Sequence, residues 1–215
     1  MAADGVKRRD WRRYLRFRLR SLVVVSLALA FVFAWGAQLY RQHRAVSKIE
    51  AMGGELQYDY QFDREGKFLR EDPISVRGWL RTRLGDEWFG APQAVDLSHC
   101  PVTDKDLRHL SGFTQLRRLQ LERTNVTGSG FVHLRSARRL EEVYLARTPM
   151  TETGLAHLRE LGSVHFVDLW NVEPTEAMIR QLERFDRLTF LEWNLHPADE
   201  TRLRRKFPDL LIYSP

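Results

Sequence analysis

A pattern of apolar positions repeats every 24 residues through the second half of the chain. Four units follow one another without a gap and a fifth, less regular unit comes after them; the units are 95–118, 119–142, 143–166, 167–190 and 191–207. The first, third and thirteenth positions are apolar in all five units, and the sixteenth and twenty-second are apolar in the four complete ones. Because a unit of this size cannot bury its apolar side alone, the pattern predicts stacked units that share one continuous core.

Within each unit the apolar spacing changes from that of a strand to that of a helix. Val95 and Leu97 alternate with polar residues, whereas Leu107 and Leu110 follow at helical spacing. Threonine, a favourable helix N-cap, stands at the junction in four units. These residues are Thr103, Thr127, Thr151 and Thr175. Each unit is therefore predicted to form a strand, a turn, a short helix and a return.

The third unit carries a recognisable signature. Leu145, Thr148, Thr151, Gly154 and Leu155 stand in the spacing Leu-x-x-Thr-x-x-Thr-x-x-Gly-Leu. This pattern resembles the leucine-rich repeat, in a bacterial variant with threonine where many relatives carry asparagine. The resemblance implies an α/β leucine-rich repeat solenoid, with parallel strands on the concave side and short helices on the convex side. It also implies a protein-interaction role rather than an enzyme. The chain departs from the family in lacking an asparagine ladder, and its last two units drift.

The N-terminal region contains twenty residues without a charge, between Arg20 and Arg41. Twenty helical residues reach about 30 Å, the thickness of the bilayer core. We therefore expect a transmembrane helix at 21–40 that contacts the lipid bilayer, preceded by a basic cytoplasmic tail at 1–20. The basic excess before the span predicts a single-pass protein whose N-terminus is cytoplasmic and whose repeat domain is on the non-cytoplasmic side. Cleavage as a signal peptide remains an alternative, and the whole arrangement resembles envelope-anchored bacterial repeat proteins.

The segment between this span and the repeats is predicted to form a connection and a cap. Residues 41–53 are expected to form a juxtamembrane helix that ends at a glycine pair. Residues 54–94 are expected to form an N-terminal cap, with a strand at 56–63 and a short helix within 75–89, because an open solenoid needs its core ends covered. The repeats and a C-terminal cap occupy 95–213, and the last residues of that range are expected to form a closing strand.

Composition and charge narrow the possible functions. The net charge is +6, and residues 1–20 account for all of it with eight basic and two acidic residues. The remainder of the chain is neutral, so its charge gives no reason to expect nucleic-acid binding. The single cysteine, Cys100, excludes an intramolecular disulfide and a multi-cysteine zinc site. We interpret it as an inert, partly buried thiol.

Candidate chemistry is sparse. His109, His133 and His157 recur at the repeat period, but neighbouring helices lie about 8–10 Å apart, too far for three parallel side chains to converge on one metal. No phosphate-binding loop and no nucleophile elbow is present in the sequence. We therefore predict no catalytic residues, no cofactor and no metal.

Strand residues that alternate with the buried positions are predicted to form the binding surface. Exposed aromatic rings beside polar groups commonly anchor a protein or peptide partner. The predicted ligand-binding residues are Tyr144, Phe166, Asp168, Trp170, Phe190 and Glu192. These side chains could instead pack on one another or on the C-terminal cap. The expected function is a non-enzymatic, membrane-anchored repeat protein that binds a protein or peptide in the cell envelope; the alternative is an envelope structural protein that binds cell-wall glycan or self-associates.

Overall fold

The structure is a computed structural model that describes residues 11–58 and 92–214. It divides into two compact parts, Met1–Tyr40 and Arg41–Pro215, which are described separately. A long helix, α1, spans Trp11–Ala51 and therefore begins in the first part and ends in the second. The predicted helix within 75–89 lies outside the described residues, as does most of the predicted cap.

In the part Met1–Tyr40, every side chain from residue 21 to residue 34 is exposed. No helix among the described residues is long and apolar enough to cross a membrane. The predictions of a transmembrane helix at 21–40 and of a single-pass location with a cytoplasmic N-terminus and a non-cytoplasmic repeat domain are therefore wrong. They rested on the length of this run and on its lack of charge; the run also includes Ser21, Ser26, Gly36 and Gln38.

Within its described residues, the part Arg41–Pro215 is built on one seven-stranded sheet whose strands follow each other in chain order. The strands are β1 (Glu55–Tyr58), β2 (Pro92–Asp96), β3 (Arg118–Gln120), β4 (Glu142–Tyr144), β5 (Phe166–Asp168), β6 (Phe190–Glu192) and β7 (Leu211–Tyr213). Strands β1 and β2 are antiparallel, and every later pair is parallel. The fold is thus a mixed α/β fold with a mostly parallel sheet, and the predicted fold class is corrected because it included a transmembrane helix.

The sequence period appears directly in the register of the sheet. From β2 to β6 each residue pairs with the residue 24 positions later, as Val95 does with Leu119. The last pair departs from this rule, because Phe190 pairs with Leu211, only 21 positions later. Each unit therefore adds one strand to the sheet, and the closing strand is shifted by three residues.

Five short helical segments connect the parallel strands. Two are 3₁₀ helices, η1 (Asp106–Gly112) and η2 (Ser129–Leu134), and three are α-helices, α2 (Glu152–Arg159), α3 (Glu176–Leu182) and α4 (Pro197–Lys206). Thr151 and Thr175 cap α2 and α3 as predicted, each accepting a hydrogen bond from a backbone N–H three residues later. Thr103 and Thr127 do not act as caps; their hydroxyls donate to Asp106 and Asp104.

The core follows the predicted apolar columns. At the first, third and thirteenth positions of the units, all side chains are at most 2% exposed. Burying one such aliphatic side chain completely contributes about 1.5–3 kcal/mol. Ala45, Val46 and Ile49 from the end of α1 belong to the same core cluster. The predicted helix at 41–53 is therefore the C-terminal part of α1, and it covers apolar side chains of the repeats.

A left-handed residue follows the strand in each of the first four units, which the sequence analysis did not anticipate. His99, Arg123, Arg147 and Asn171 have φ between 54° and 62°. For a residue other than glycine, this left-handed backbone conformation costs about 1–2 kcal/mol. The N–H groups of the first three donate to carbonyls of the next unit, at 2.8–2.9 Å. These hydrogen bonds extend the ladder beyond the strand and hold the turn.

Candidate binding face on the sheet

Alternation along the strands places the predicted binding residues on one side of the sheet. The middle residues of β3–β6 are buried in the core, whereas the first and third residues are at least partly accessible in all cases except Asp168. Successive side chains of a strand point to opposite sides. Tyr144, Phe166, Asp168, Phe190 and Glu192 therefore share the side that faces away from the core, which we call the outer face.

Three aromatic rings form a continuous stack across β4, β5 and β6. The rings of Phe166 and Phe190 are almost parallel, with centroids 4.7 Å apart and an angle of 8° between their planes. Tyr144 lies on the other side of Phe166 at 4.8 Å, tilted by 37°. The spacing matches that of neighbouring strands. The three rings thus pack on one another, as one alternative predicted, yet each remains partly accessible.

Tyr144 is linked to an ion pair on the same face. Its hydroxyl donates to Glu142 Oε2 at 3.3 Å, and Arg118 Nε donates to the same oxygen at 2.6 Å. Burial and the adjacent Glu142 carboxylate raise the pKa of Tyr144 to about 12. The phenol therefore remains neutral and a hydrogen-bond donor throughout the physiological pH range.

Trp170 lies apart from the stack, two residues beyond β5. The guanidinium carbon of Arg147 lies 4.4 Å from the ring centroid, the geometry of a cation–π contact. Oδ1 of Asp168 accepts the backbone N–H of Trp170 at 2.7 Å. This bond closes the turn after β5, and the Trp170 ring lies beside Arg147.

Asp168 is the most buried of the predicted binding residues, at 5% exposure. Burial raises its pKa to about 6, and the neighbouring Glu192 and Glu122 carboxylates add to that effect. The hydrogen bond from Trp170 opposes these contributions but does not cancel them. Around pH 6, Asp168 therefore changes between its neutral and charged forms.

Two residues that the sequence analysis missed extend this surface. Leu211 and Tyr213 of β7 pair with Phe190 and Glu192 and are 64% and 55% exposed. A continuation of the period would have paired other residues with β6, so the shift of three residues concealed them. The only available signal was the apolar sequence Leu-Leu-Ile-Tyr before the end of the chain. The outer face of β4–β7 thus carries an aromatic stack flanked by two more exposed apolar side chains.

Other candidate groups are less organised. No group of three or more His, Cys, Asp or Glu side chains in residues 11–58 and 92–214 is placed to hold a metal ion. His109, His133 and His157 lie on η1, η2 and α2. Burial, together with nearby Asp96, raises the pKa of the Cys100 thiol and so disfavours a reactive thiolate.

A separate groove of about 680 Å³ lies where β4–β7 begin. Basic and acidic side chains line it together, among them Arg138, Arg187, Asp186 and Asp209. A lining of mixed sign selects no particular class of ligand. The outer face is therefore the better candidate site.

Comparison of the chain with protein-family models and with curated proteins gives no match.

Proposed function

We propose that the chain is a non-enzymatic binding protein of the leucine-rich repeat type, and that the outer face of β4–β7 binds a protein or peptide. The observation that carries this proposal is the aromatic stack of Tyr144, Phe166 and Phe190, which remains partly accessible on the sheet. Aromatic side chains held in place by their neighbours lose little conformational freedom on binding and are frequent anchors of interfaces.

The distribution of exposed apolar side chains supports the same surface. Within residues 92–214 the large apolar side chains that are more than half exposed are Leu211 and Tyr213. Both lie on β7, next to the stack, instead of being scattered over the domain. A contiguous exposed apolar area on a folded domain is typical of an interaction site.

A protein or peptide fits this surface better than the alternatives considered from the sequence. A sugar ring would stack on a free aromatic face, but Phe166 has Phe190 on one side and Tyr144 on the other. Self-association through the outer face would bring like charges together, because Asp168 and Glu192 of each copy would approach those of the other.

Site-specific photocrosslinking in cells tests the proposal. A benzophenone amino acid replaces Tyr213 on the outer face, and in a matched control it replaces Arg180, which is exposed on α3. We expect a discrete crosslinked protein from position 213 and not from position 180. The purified partner is then titrated against the unmodified chain and against Phe190→Ala, which we expect to weaken binding at least tenfold, a typical cost of removing an interface anchor of about 1.4 kcal/mol or more.

Two results would contradict the proposal. One is equal crosslinking from both positions. The other is an unchanged affinity in Phe190→Ala when circular dichroism shows the fold intact.

A further inference from the structure

The outer face has an excess of negative charge. The face includes the outward-facing positions of β2–β6 and the residue two places beyond the end of each strand. These positions hold five carboxylates and one basic residue. These are Asp96, Glu122, Glu142, Asp168, Glu192 and Arg118. Arg118 pairs with Glu142. Among the described residues, the other four carboxylates form no ion pair.

Three of these four carboxylates lie beside the aromatic stack. Asp168 is paired in register with Glu192 on the next strand and interacts electrostatically with both Glu192 and Glu122. Phe166 and Phe190 begin the two strands that Asp168 and Glu192 end. An apolar surface therefore adjoins three acidic side chains that form no ion pair with other described residues.

We propose that the partner of the outer face presents a Lys or Arg side chain between apolar residues, in an extended segment. The cation would lie among Asp168, Glu192 and Glu122, and the apolar side chains would contact Phe166, Phe190 and Leu211. This inference rests on the proposed function and specifies the chemistry of its partner.

Two features of the structure support a cationic group. A cation reduces the repulsion among these three neighbouring carboxylates, none of which forms an ion pair with another described residue. In addition, Arg147 already packs its guanidinium on Trp170 at this face, at 4.4 Å from the ring centroid. A planar cation can thus lie on an aromatic ring here, two residues from Asp168, whose carboxylate accepts the Trp170 N–H.

Three capped peptides test the proposal with the full chain. They are acetyl-Leu-Gly-Arg-Gly-Leu-amide and the two versions with Gln or Glu in place of Arg. Alternate side chains of an extended peptide point the same way, so both Leu residues and the central residue can reach the face together. Binding is followed by NMR, through the amide signals of Phe166 and Glu192. We expect the Arg peptide to bind about fivefold more tightly than the Gln peptide, the scale of a solvent-accessible ion pair, and the Glu peptide to bind most weakly.

Variants of the acidic residues supply the second part of the test. Glu192→Gln and Glu122→Gln should each reduce the preference for Arg over Gln, whereas Glu173→Gln should leave it unchanged. Glu173 is the matched control because it is exposed and lies outside the outer face. The preference should also decrease as salt is added, because salt screens exposed charges.

The outcomes separate this inference from the proposed function. If all three peptides bind with equal affinity and Phe190→Ala abolishes that binding, the face binds peptides but the inference of a basic partner is wrong. Tighter binding of the Glu peptide would also contradict the inference. If none of the three shifts the amide signals of the face at millimolar concentration, both proposals are contradicted.

Discussion

The carboxylate of Asp104 in one unit accepts a hydrogen bond from the backbone N–H of Gly130 in the next, at 2.8 Å. The same carboxylate accepts the N–H and hydroxyl of Thr127 and the N–H of Gly128, at 2.7–3.0 Å. One side chain therefore satisfies three backbone donors before and within η2. This contact joins the first two units on the side opposite the outer face.

Removing this carboxylate should destabilise the fold. Asp104→Ala leaves three backbone N–H groups of a half-buried turn without an acceptor, and we expect a loss of about 3 kcal/mol in the free energy of unfolding. Urea denaturation measures the change, and Asp186→Ala, an exposed carboxylate, is the control.

The hydrogen bonds to Asp104 also set a pH dependence. Burial acts to raise the pKa of Asp104, but the bonds from Gly130, Thr127 and Gly128 outweigh it and lower the pKa. Their stabilisation is thus complete above the unfolded-state pKa of about 3.9 and is lost as the pH falls through the lower folded-state value. If Asp104→Ala and Asp186→Ala have the same free energy of unfolding, the turn does not depend on Asp104.

Gly130 should tolerate no side chain. A Cβ at this position would meet the carbonyl oxygen of Asp104 and lie 2.9 Å from its Cα. Both are backbone atoms that cannot move without displacing the first unit. We expect Gly130→Ala to cost about 2–3 kcal/mol, in the range of overpacking a buried site. Gly112→Ala is the matched control, because nothing lies within 4 Å of its Cβ. Thermal unfolding should separate the two variants clearly, and similar melting temperatures would refute the close approach.

Asp168→Asn should stabilise the protein at pH 8 but not at pH 4. The pKa of Asp168 is raised to about 6, so the folded state holds the proton more tightly than the unfolded state does. Stability therefore falls as the pH rises from about 4 to about 6, and the ionised form remains unfavourable above that window. Asn keeps an oxygen for the Trp170 N–H and has no charge to bury. We expect a gain of about 1 kcal/mol at pH 8, reduced from the full linkage value because solvent screens part of the effect. Chemical denaturation at both pH values, with Asp209→Asn as the control, measures it; a gain of the same size at pH 4 would contradict the assignment.

The stacked rings of Phe166 and Phe190 should be energetically coupled. A double-mutant cycle with Phe166→Ala and Phe190→Ala should give an interaction free energy of about 1 kcal/mol, as found for aromatic pairs. The matched cycle combines Tyr144→Ala with Phe190→Ala, two residues separated by Phe166, and should give a value near zero. Equal coupling in the two cycles would indicate that the stack is not pairwise, contrary to its geometry.

Several features of the fold could be predicted because they depend only on spacing along the chain. A period of 24 residues with apolar first and third positions predicts the strands, and Val95 and Leu119 pair as that spacing requires. The N-caps at Thr151 and Thr175 could also be predicted, since a cap needs only its own N-terminal turn. The proximity of Phe166 and Phe190 follows from the same register, whereas Tyr144 pairs with Asp168 and reaches Phe166 diagonally. The predicted membrane span, inferred from the length and lack of charge of the run between Arg20 and Arg41, was wrong: no helix among the described residues is long and apolar enough to cross a membrane.

The sequence by itself determined which side chains face the core, since alternation in a strand and the repeat period are local properties of the chain. Only the tertiary structure decided which side chains of one unit contact the next unit. It turned Thr127 from a potential cap into a donor to Asp104 and placed Arg147 over Trp170. It also brought Leu211 and Tyr213 beside the aromatic stack. These relations depend on contacts between units and on the shortened last step of 21 residues, and interactions across layers leave no periodic trace along the chain.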